Sequence, residues 1–319
     1  MKKYSFILIL ALCLLFSGCE DNGVVEAAHS HVMFAMDTVI NITAYGEDGK
    51  SARIDAEQEL RRIDGLLARG VEGSAVYAYN HEGSTENEEL RALLARAEEI
   101  GRATAGAFDA YLGGVLDLWG FGSGAGDFRV PSEEELSAAP RLLDLGGFAK
   151  GYAGERMFAI MKEKGVPAAV FDLGGDVALW GAKPDELWRV AIRDPQPGVD
   201  YLGVLETEGD CFVMTSGVYE RYFEENGVRY HHVIDPRTRA PADSGLVSVT
   251  VICESGVWAD ALATACCVMG AERALALREK LADTMAFELI LVDLDGRVRY
   301  TCEGFTPEPG NDYVYEKIS

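Results

Sequence analysis

The chain has 319 residues and a formal net charge of −23, with 52 acidic against 29 basic side chains. This excess of negative charge repels a phosphate backbone, so nucleic acid is excluded as an expected partner. The hydrophobic content of 48% is ordinary for a globular enzyme. A solvated acidic surface that keeps the protein soluble accounts for most of the charge.

The first eighteen residues, 1–18, predict an export signal. Two lysines precede an apolar run from Phe6 to Phe16, which is shorter than the about 20 residues needed to span a bilayer. Ser17-Gly18 stands directly before Cys19, the arrangement in which a lipoprotein signal is cut and the new N-terminal cysteine receives lipid. Simple secretion is the alternative, because Phe16 stands where an aliphatic residue is usual.

The signal implies a simple organisation for the remaining chain. Residues 19–30 are expected to be a polar membrane tether, and residues 31–319 one large domain. The protein would then be exported and anchored by lipid, at the periplasmic or outer face of the cytoplasmic membrane.

The remaining cysteines predict buried free thiols rather than a disulfide framework. Their number is odd, their spacings match no zinc or CxxC pattern, and two of them are adjacent in an apolar helical stretch. They are Cys211, Cys253, Cys266, Cys267 and Cys302.

Hydrophobic periodicity divides the chain into helices and strands. Apolar residues at spacings of three and four predict helices, and stretches rich in β-branched and aromatic residues predict strands. The inner face of the second helix is expected to carry Leu90, Leu94, Ala97 and Gly101. In chain order we predict a strand over 38–45, helices over 51–68, 87–102 and 150–164, strands over 168–171, 188–192 and 246–253, helices over 258–269 and 271–282, and a strand over 287–292.

The order of these elements predicts the fold class. An early group of helices is followed by a half dominated by strands, without sustained alternation of strand and helix, so the chain is expected to be α+β rather than doubly wound. The sequence Asp-Leu-Gly-Gly occurs at 144–147 and again at 172–175. Because the flanking sequences differ, we interpret these as independent glycine turns rather than a repeat.

A glycine pair runs into the helix predicted over 150–164. Gly146 and Gly147 would let the backbone approach a ligand, and the amides at the start of the helix would attract phosphate oxygens. Lys150 adds a full positive charge. A purely structural turn remains the alternative.

Two adjacent histidines lie in a polar loop before the strand at 246. Neighbouring side chains on an extended chain point to opposite sides, so His231 and His232 are not expected to serve one task together. One of them, with Asp235 nearby, could act as a general base near neutral pH. A hydrogen-bonded structural histidine is the alternative.

A carboxylate and a hydroxyl lie one turn apart at the start of the helix predicted over 258–269. Asp260 and Thr264 are four residues apart and share a helical face, and hard oxygen ligands of this kind suit Mg²⁺. Compensation of the helix dipole by Asp260 is the simpler alternative. Residues 104–109 form a further glycine-containing turn with one carboxylate, Asp109.

Taken together, these segments resemble the FAD:protein FMN transferases, the ApbE-like family. The similarity extends over nearly the whole chain after the signal. Its segments are Met36-Asp37-Thr38, Ser74 with Asn80, Gly106-Ala107-Phe108-Asp109, 144–152, Leu173-Gly174-Gly175-Asp176, Thr215-Ser216-Gly217, 231–238 and 259–264.

The resemblance implies a tunnelling-fold arrangement of mixed or antiparallel sheets packed with helices, with FAD as substrate and Mg²⁺ as cofactor. Asp260 and Thr264 would bind the metal through side-chain oxygens, and Gly147 through its backbone carbonyl. His232 would be the base that activates the acceptor. FAD contacts would come from Met36, Ala107, Phe108, Asp109, Asp144, Lys150 and the backbone at Ile234.

One departure from the family pattern bears on flavin binding. The family often has a tyrosine, able to stack on the isoalloxazine ring, where this chain has Gly70. Tyr77 or Tyr79 is a candidate substitute. Gly147, often alanine in the family, should still serve as a carbonyl ligand.

The expected activity is transfer of FMN from FAD to a threonine or serine hydroxyl of a partner protein, with release of AMP. The resemblance implies that the partner is a subunit of a membrane redox complex. Two alternatives remain open: a FAD pyrophosphatase that uses water as acceptor, and a flavin-binding surface lipoprotein without catalysis.

Overall fold

The computed structural model describes residues 27–122, 127–183, 186–196 and 201–319. The predicted signal and Cys19 lie outside the described residues. Within the described ranges, no helix combines the length and the apolar character that a membrane span requires. The first strand begins at Ala28, so the end of the segment assigned to the tether belongs to the folded domain.

The strands group into one large sheet and three smaller ones. The large sheet has nine strands in the order β1-β2-β3-β4-β7-β12-β13-β14-β16, and its pairs are antiparallel except β14 with β16. The strands are β1 (Ala28–Ala35), β2 (Thr38–Tyr45), β3 (Ala168–Asp172), β4 (Val177–Gly181), β5 (Trp188–Arg193), β6 (Tyr201–Thr207), β7 (Cys211–Gly217), β8 (Tyr222–Glu225), β9 (Val228–His231), β10 (Ile234–Asp235), β11 (Ala240–Pro241), β12 (Leu246–Cys253), β13 (Phe287–Asp293), β14 (Arg297–Tyr300), β15 (Phe305–Pro307) and β16 (Val314–Lys317).

The helices follow the apolar stripes of the sequence. In the second predicted helix, Leu90 and Ala97 are buried as expected, but Leu93 and Ile100 complete the stripe instead of Leu94 and Gly101, because this rotation buries the larger side chains. The helices are α1 (Gly49–Leu67), α2 (Ala75–Glu82), α3 (Glu88–Ala103), α4 (Gly113–Trp119), α5 (Glu133–Ala138), α6 (Ala149–Glu163), α7 (Gly256–Met269) and α8 (Ala271–Leu281).

The large sheet separates two hydrophobic cores. Alternate residues of its strands face opposite sides, as a pleated strand requires: Phe212 faces the helices, and Val213 faces the three-stranded sheet β15-β6-β5. Helices α6 and α7 pack on the first side. A third, smaller cluster is rich in aromatic rings and includes Trp119 and Phe121.

The predicted α+β class is confirmed, and each predicted helix and strand is present with ends shifted by at most two residues. The five predicted free thiols are unpaired and buried. The short helices α2, α4 and α5 were missed, because one or two helical turns carry too few apolar positions to show a period of 3.6 residues. Several strands were also not predicted.

Candidate functional site

Helices α6 and α7 meet through their backbones at the centre of the site. A Cβ atom added to Gly151 would lie 2.0 Å from the carbonyl oxygen of Gly256, so only glycine permits this approach. Asp260 Oδ2 accepts a hydrogen bond of 2.9 Å from the Gly151 amide. Glu155 Oε1 accepts one of 3.0 Å from the Val257 amide. These contacts fix the first turns of both helices against each other.

Lys150, Asp176 and Asp260 form a buried group of charges, here called the charged cluster. Asp176 receives an ion pair from the Lys150 ammonium, and its other oxygen accepts a 2.7 Å hydrogen bond from the Thr215 amide on β7. Burial, followed by the negative charge of Asp176, raises the pKa of Asp260 to about 7. Burial acts to lower the pKa of Lys150, but Asp176 and Asp260 outweigh it and raise that pKa.

The sequence analysis gave Asp176 no role, although it stands in the Leu-Gly-Gly-Asp segment. Its contact with Lys150 joins residues 26 positions apart and depends on the pairing of β3, β4 and β7. Asp176 is only 2% exposed. In the sequence itself, the glycine turn before Asp176 is the local signal, and the burial of its carboxylate becomes visible only in the fold.

Two of the three predicted metal ligands, Thr264 and Gly147, are neighbours, and the third, Asp260, belongs to the charged cluster. Thr264 Oγ1 lies 3.2 Å from Ser216 Oγ on β7. A Cβ atom added to Gly147 would lie 4.0 Å from Thr264 Oγ1 and 3.1 Å from the Phe108 ring, so Gly147, Thr264 and Phe108 are neighbours. Asp260 lies one turn before Thr264 on the same helix.

This donor set fits Mg²⁺ as a site with few protein ligands. Among the described residues, no three His, Cys, Asp or Glu side chains lie close enough to hold a metal on their own. Mg²⁺ commonly takes one or two carboxylates and completes its shell with water and substrate phosphates, which suits Asp260, a hydroxyl and a carbonyl. When Asp260 is ionised, two carboxylates face one lysine, and the resulting excess of negative charge favours a bound cation.

The β1–β2 turn brings Met36 to the same region. Ala35 pairs with Thr38, so Met36 and Asp37 form a two-residue turn, with φ values of 50° and 58°. A Cβ atom on Gly174 would lie 2.1 Å from Thr38 Oγ1, which places the β3–β4 turn against this hairpin. Met36 therefore lies next to the segment that supplies Asp176.

Asp144 is held by an arginine that the sequence analysis did not select. Arg69 donates from Nε to Asp144 Oδ2 at 2.9 Å, and from both terminal nitrogens to Asp117 on α4. The Asn80 amide group makes two hydrogen bonds to the backbone of Leu143, just before Asp144. The predicted flavin contact at Asp144 thus sits on a segment fixed from two sides.

The segment 107–109 lines the other side of Gly147. Ala107 and Phe108 are buried, and the Phe108 ring packs on Phe148 with centroids 5.9 Å apart. Asp109 Oδ1 accepts a hydrogen bond from the Tyr111 amide at 2.9 Å. This places Phe108 directly at the start of α6.

Tyr77 and Tyr79, the two candidates for a flavin-stacking ring in place of the residue at Gly70, make different contacts. The Tyr77 ring stacks on His81 at 4.0 Å, so it is already occupied on α2. The Tyr79 hydroxyl lies 3.1 Å from that of Tyr111, two residues after Asp109. Of the two candidates, Tyr79 is therefore the one beside the predicted flavin contacts.

His232 is held by a single backbone carbonyl. The carbonyl oxygen of Arg221 accepts hydrogen bonds from the His232 amide at 3.0 Å and from Nδ1 at 3.2 Å. Because a carbonyl can only accept, Nδ1 carries the proton and Nε2 keeps its lone pair. Burial, together with the charge of Arg221, lowers the pKa of His232 to about 4, so the ring is neutral at pH 7.

Among the described residues, Asp235 makes its side-chain hydrogen bonds to Arg237 and not to His231 or His232. Asp235 is occupied by Arg237, which donates from its backbone amide at 2.9 Å, from Nε at 3.0 Å and from Nη2 at 2.7 Å. His231 Nε2 instead contacts the carbonyl of Ala242 at 3.0 Å. The turn between β10 and β11 captures Asp235 locally, and Ile234 beside it is buried in the aromatic cluster.

Comparison with known proteins decides the family. The model that describes the ApbE family matches residues 36–287. This chain belongs to the ApbE family. A FAD:protein FMN transferase of Vibrio cholerae serotype O1 is 31% identical, with 95% of this chain and 98% of that protein covered. One of Treponema pallidum is 30% identical, with 92% and 91% covered.

Solved ApbE structures share the fold. The ApbE protein of Thermotoga maritima superimposes with a TM-score of 0.77 at 30% identity, covering 85% of this chain and 96% of that one. The resemblance of the sequence motifs to the ApbE family is therefore confirmed.

Proposed function

We propose that this ApbE-family protein transfers FMN from FAD to a threonine or serine hydroxyl of an acceptor protein and releases AMP. The observation that carries the proposal is the charged cluster, with Thr264 and Gly147 beside it, at the start of α6. The names of the relatives, FAD:protein FMN transferase, support the same reaction. We include Mg²⁺ as the cofactor of this chemistry.

The start of α6 supplies the phosphate-binding elements. The N-terminal end of a fifteen-residue helix carries partial positive charge, and Lys150 in its first turn adds an ammonium group. Asp176 holds that ammonium in position, so Lys150 is oriented before the substrate arrives. This pre-positioning favours a dinucleotide pyrophosphate over an uncharged ligand.

Asp260, Thr264 and the Gly147 carbonyl would hold Mg²⁺, which would withdraw negative charge from the pyrophosphate and so stabilise the phosphate that departs with AMP. The lone pair on His232 Nε2 takes the proton of the acceptor hydroxyl. The hydroxyl oxygen forms a bond to the phosphorus of the FMN half, and the bond from that phosphorus to the AMP oxygen breaks. The products are an FMN phosphoester on the acceptor, AMP, and a proton held on His232.

Replacement of the metal-binding carboxylate tests the proposal directly. Asp260→Ala should abolish FMN transfer while the protein still folds, because Asp260 supplies the one carboxylate of the donor set. Covalent flavin is read as fluorescence on the acceptor band in a denaturing gel, with circular dichroism reporting folding. Asp283→Ala, at an exposed aspartate after α8, is the matched control and should transfer normally. Full transfer by Asp260→Ala with magnesium chelated would refute the proposal.

A second candidate activity is favoured by one feature, the exposed Gly70 where the family often has a tyrosine. A less firmly held flavin leaves room for water beside the phosphorus, which would make the chain a FAD pyrophosphatase. Comparing AMP released with flavin bound to acceptor separates the two reactions. Equal amounts support transfer, and AMP without protein-bound flavin supports hydrolysis.

We further propose that the protein is exported and anchored through lipid on Cys19, with a membrane redox subunit as acceptor. The support is the sequence around Ser17-Gly18-Cys19. Mass spectrometry of the mature N-terminus should find a lipid-modified cysteine, and Cys19→Ser should move the protein from the membrane fraction to the soluble fraction. A mature N-terminus at another residue would contradict the anchor.

A further inference from the structure

The two ends of the β8–β9 hairpin lie side by side, and the proposed base His232 follows directly after the second strand. Arg221 precedes β8 and His232 follows β9, and Tyr222 pairs with His231 in the register of the hairpin. The Arg221 carbonyl therefore lies across from His232, where it accepts both hydrogen bonds described above. The orientation of the imidazole depends on where the backbone of residue 221 is held.

The Arg221 side chain fixes that backbone to a third element. Its Nη2 donates a 2.7 Å hydrogen bond to the carbonyl of Phe121, in the loop after α4. The Phe121 ring in turn meets the His232 ring edge to face, with centroids 6.3 Å apart at 64°. His232, Arg221 and Phe121 thus form a closed cycle of contacts, which we call the histidine cycle.

We propose that Arg221 is a positioning residue for the transfer reaction: its guanidinium closes the histidine cycle and so holds His232 in the tautomer whose Nε2 can accept the proton. This inference rests on the proposed function, because it assigns Arg221 to the base of that reaction. Arg221 itself touches neither substrate nor metal in this role.

Electrostatics supports the geometry. The charged and titratable groups that face His232 are Arg221, His231 and Lys150, and each of the three acts to disfavour a positive charge on the imidazole. The guanidinium charge of Arg221 acts against protonation of the ring, whereas the hydrogen bond to its carbonyl acts in favour of it. The carbonyl fixes the tautomer of His232, and the side chain opposes a positive charge on the ring.

The test compares Arg221→Met with Arg221→Lys in the purified full chain. Methionine keeps the apolar stem but loses the donor and the charge, whereas lysine keeps both. With ¹⁵N-labelled histidine, wild-type His232 should show a protonated Nδ1 and a bare Nε2. Arg221→Met should give a mixture of tautomers and a His232 pKa raised by about one unit, and Arg221→Lys should restore the wild-type spectrum.

Steady-state kinetics of FMN transfer is the second measurement. With FAD, Mg²⁺ and an acceptor protein onto which the wild-type chain is first shown to move FMN, Arg221→Met should lower kcat about tenfold and leave the KM for FAD within about twofold. Arg221→Lys should recover most of kcat. Arg229→Met is the matched control, because Arg229 lies on the same hairpin, over the Tyr222 ring at 4.1 Å.

The outcomes separate this inference from the proposed function. If the wild-type chain moves no FMN, the proposed function fails, while the histidine spectrum still reports on the cycle. If transfer occurs and Arg221→Met matches Arg229→Met in spectrum, pKa and kcat, Arg221 is not a positioning residue. A loss in Arg221→Met that Arg221→Lys does not rescue, with an unchanged spectrum, would overturn it as well.

Discussion

The charged cluster and the histidine cycle are built in opposite ways. The cluster places titratable side chains on α6, on α7 and in the β3–β4 turn, where burial and the charge of Asp176 raise the pKa of Asp260, and the pKa of Lys150 is raised, despite burial, by both carboxylates. The cycle holds a neutral ring through a carbonyl and an aromatic edge on a short hairpin. The first region is suited to a fixed, anionic substrate such as a pyrophosphate. The second presents an uncharged ring nitrogen, Nε2, that can accept the proton of an incoming hydroxyl.

The largest expected effect is on the histidine. His232→Gln should reduce the rate of FMN transfer by about 10²- to 10⁴-fold, the range for loss of a general base. FAD binding, followed by the change in flavin fluorescence, should stay within about twofold, because the phosphate-binding groups lie in the charged cluster. Equal loss of binding and of rate would mean that the histidine has a structural role, and that the two regions are not separable.

The next effect is on the stability of the charged cluster. Asp176→Ala leaves the partly buried Lys150 ammonium without its partner, which should cost about 2 kcal/mol in the free energy of unfolding. Urea denaturation measures the change. Asp283→Ala, at an exposed residue after α8, is the control. A loss below about 1 kcal/mol would show that Lys150 finds water or another partner.

The contact between α6 and α7 gives a third test. Gly151→Ala should destabilise the protein by about 2 kcal/mol, because its Cβ would overlap the backbone of Gly256. Gly65→Ala, on α1 with open space around it, should instead stabilise by up to about 1 kcal/mol. Thermal unfolding of both variants checks the pair. The two changes in stability must have opposite signs, because each variant adds one methyl group to a helix and only the surroundings of that group differ.

The two regions should differ in the sign of their pH dependence. His232 has a pKa lowered from 6.5 to about 4, so the unfolded chain binds more protons and its contribution to stability falls as pH drops through that window. Asp260 has a pKa raised from 3.8 to about 7, so its contribution falls as pH rises. Urea denaturation of the metal-free protein at a series of pH values gives the slope of the unfolding free energy against pH. His232→Gln and Asp260→Asn should change this slope in opposite directions.

The smallest effect should be at Asp235, which the sequence had suggested as a catalytic partner. Asp235→Ala should lower kcat no more than about threefold and cost about 1 kcal/mol or less, since its main partner is the exposed Arg237. A large loss of kcat with normal stability would restore Asp235 to the chemistry. Arg237→Ala should reproduce the small effect on stability.

Sequence reasoning succeeded where the information is local. The spacing of Asp260 and Thr264, the helix behind Lys150 and the apolar stripe of α1 all follow from a period of three to four residues. It failed where a contact joins distant segments. Arg69 and Asp144 are 75 residues apart, and no pattern in a single chain indicates that they meet. At Asp235 the sequence did not indicate the local contact that the structure shows, in which Arg237, two positions away, binds the carboxylate.

The backbone contact at Gly151 and Gly256 has a consequence for mutational tolerance. Main-chain atoms, which carry no rotamers, set the spacing between the start of α6 and the helix that bears Asp260. Side chains elsewhere on the two helices can therefore be exchanged without altering that spacing, as long as both glycines are kept.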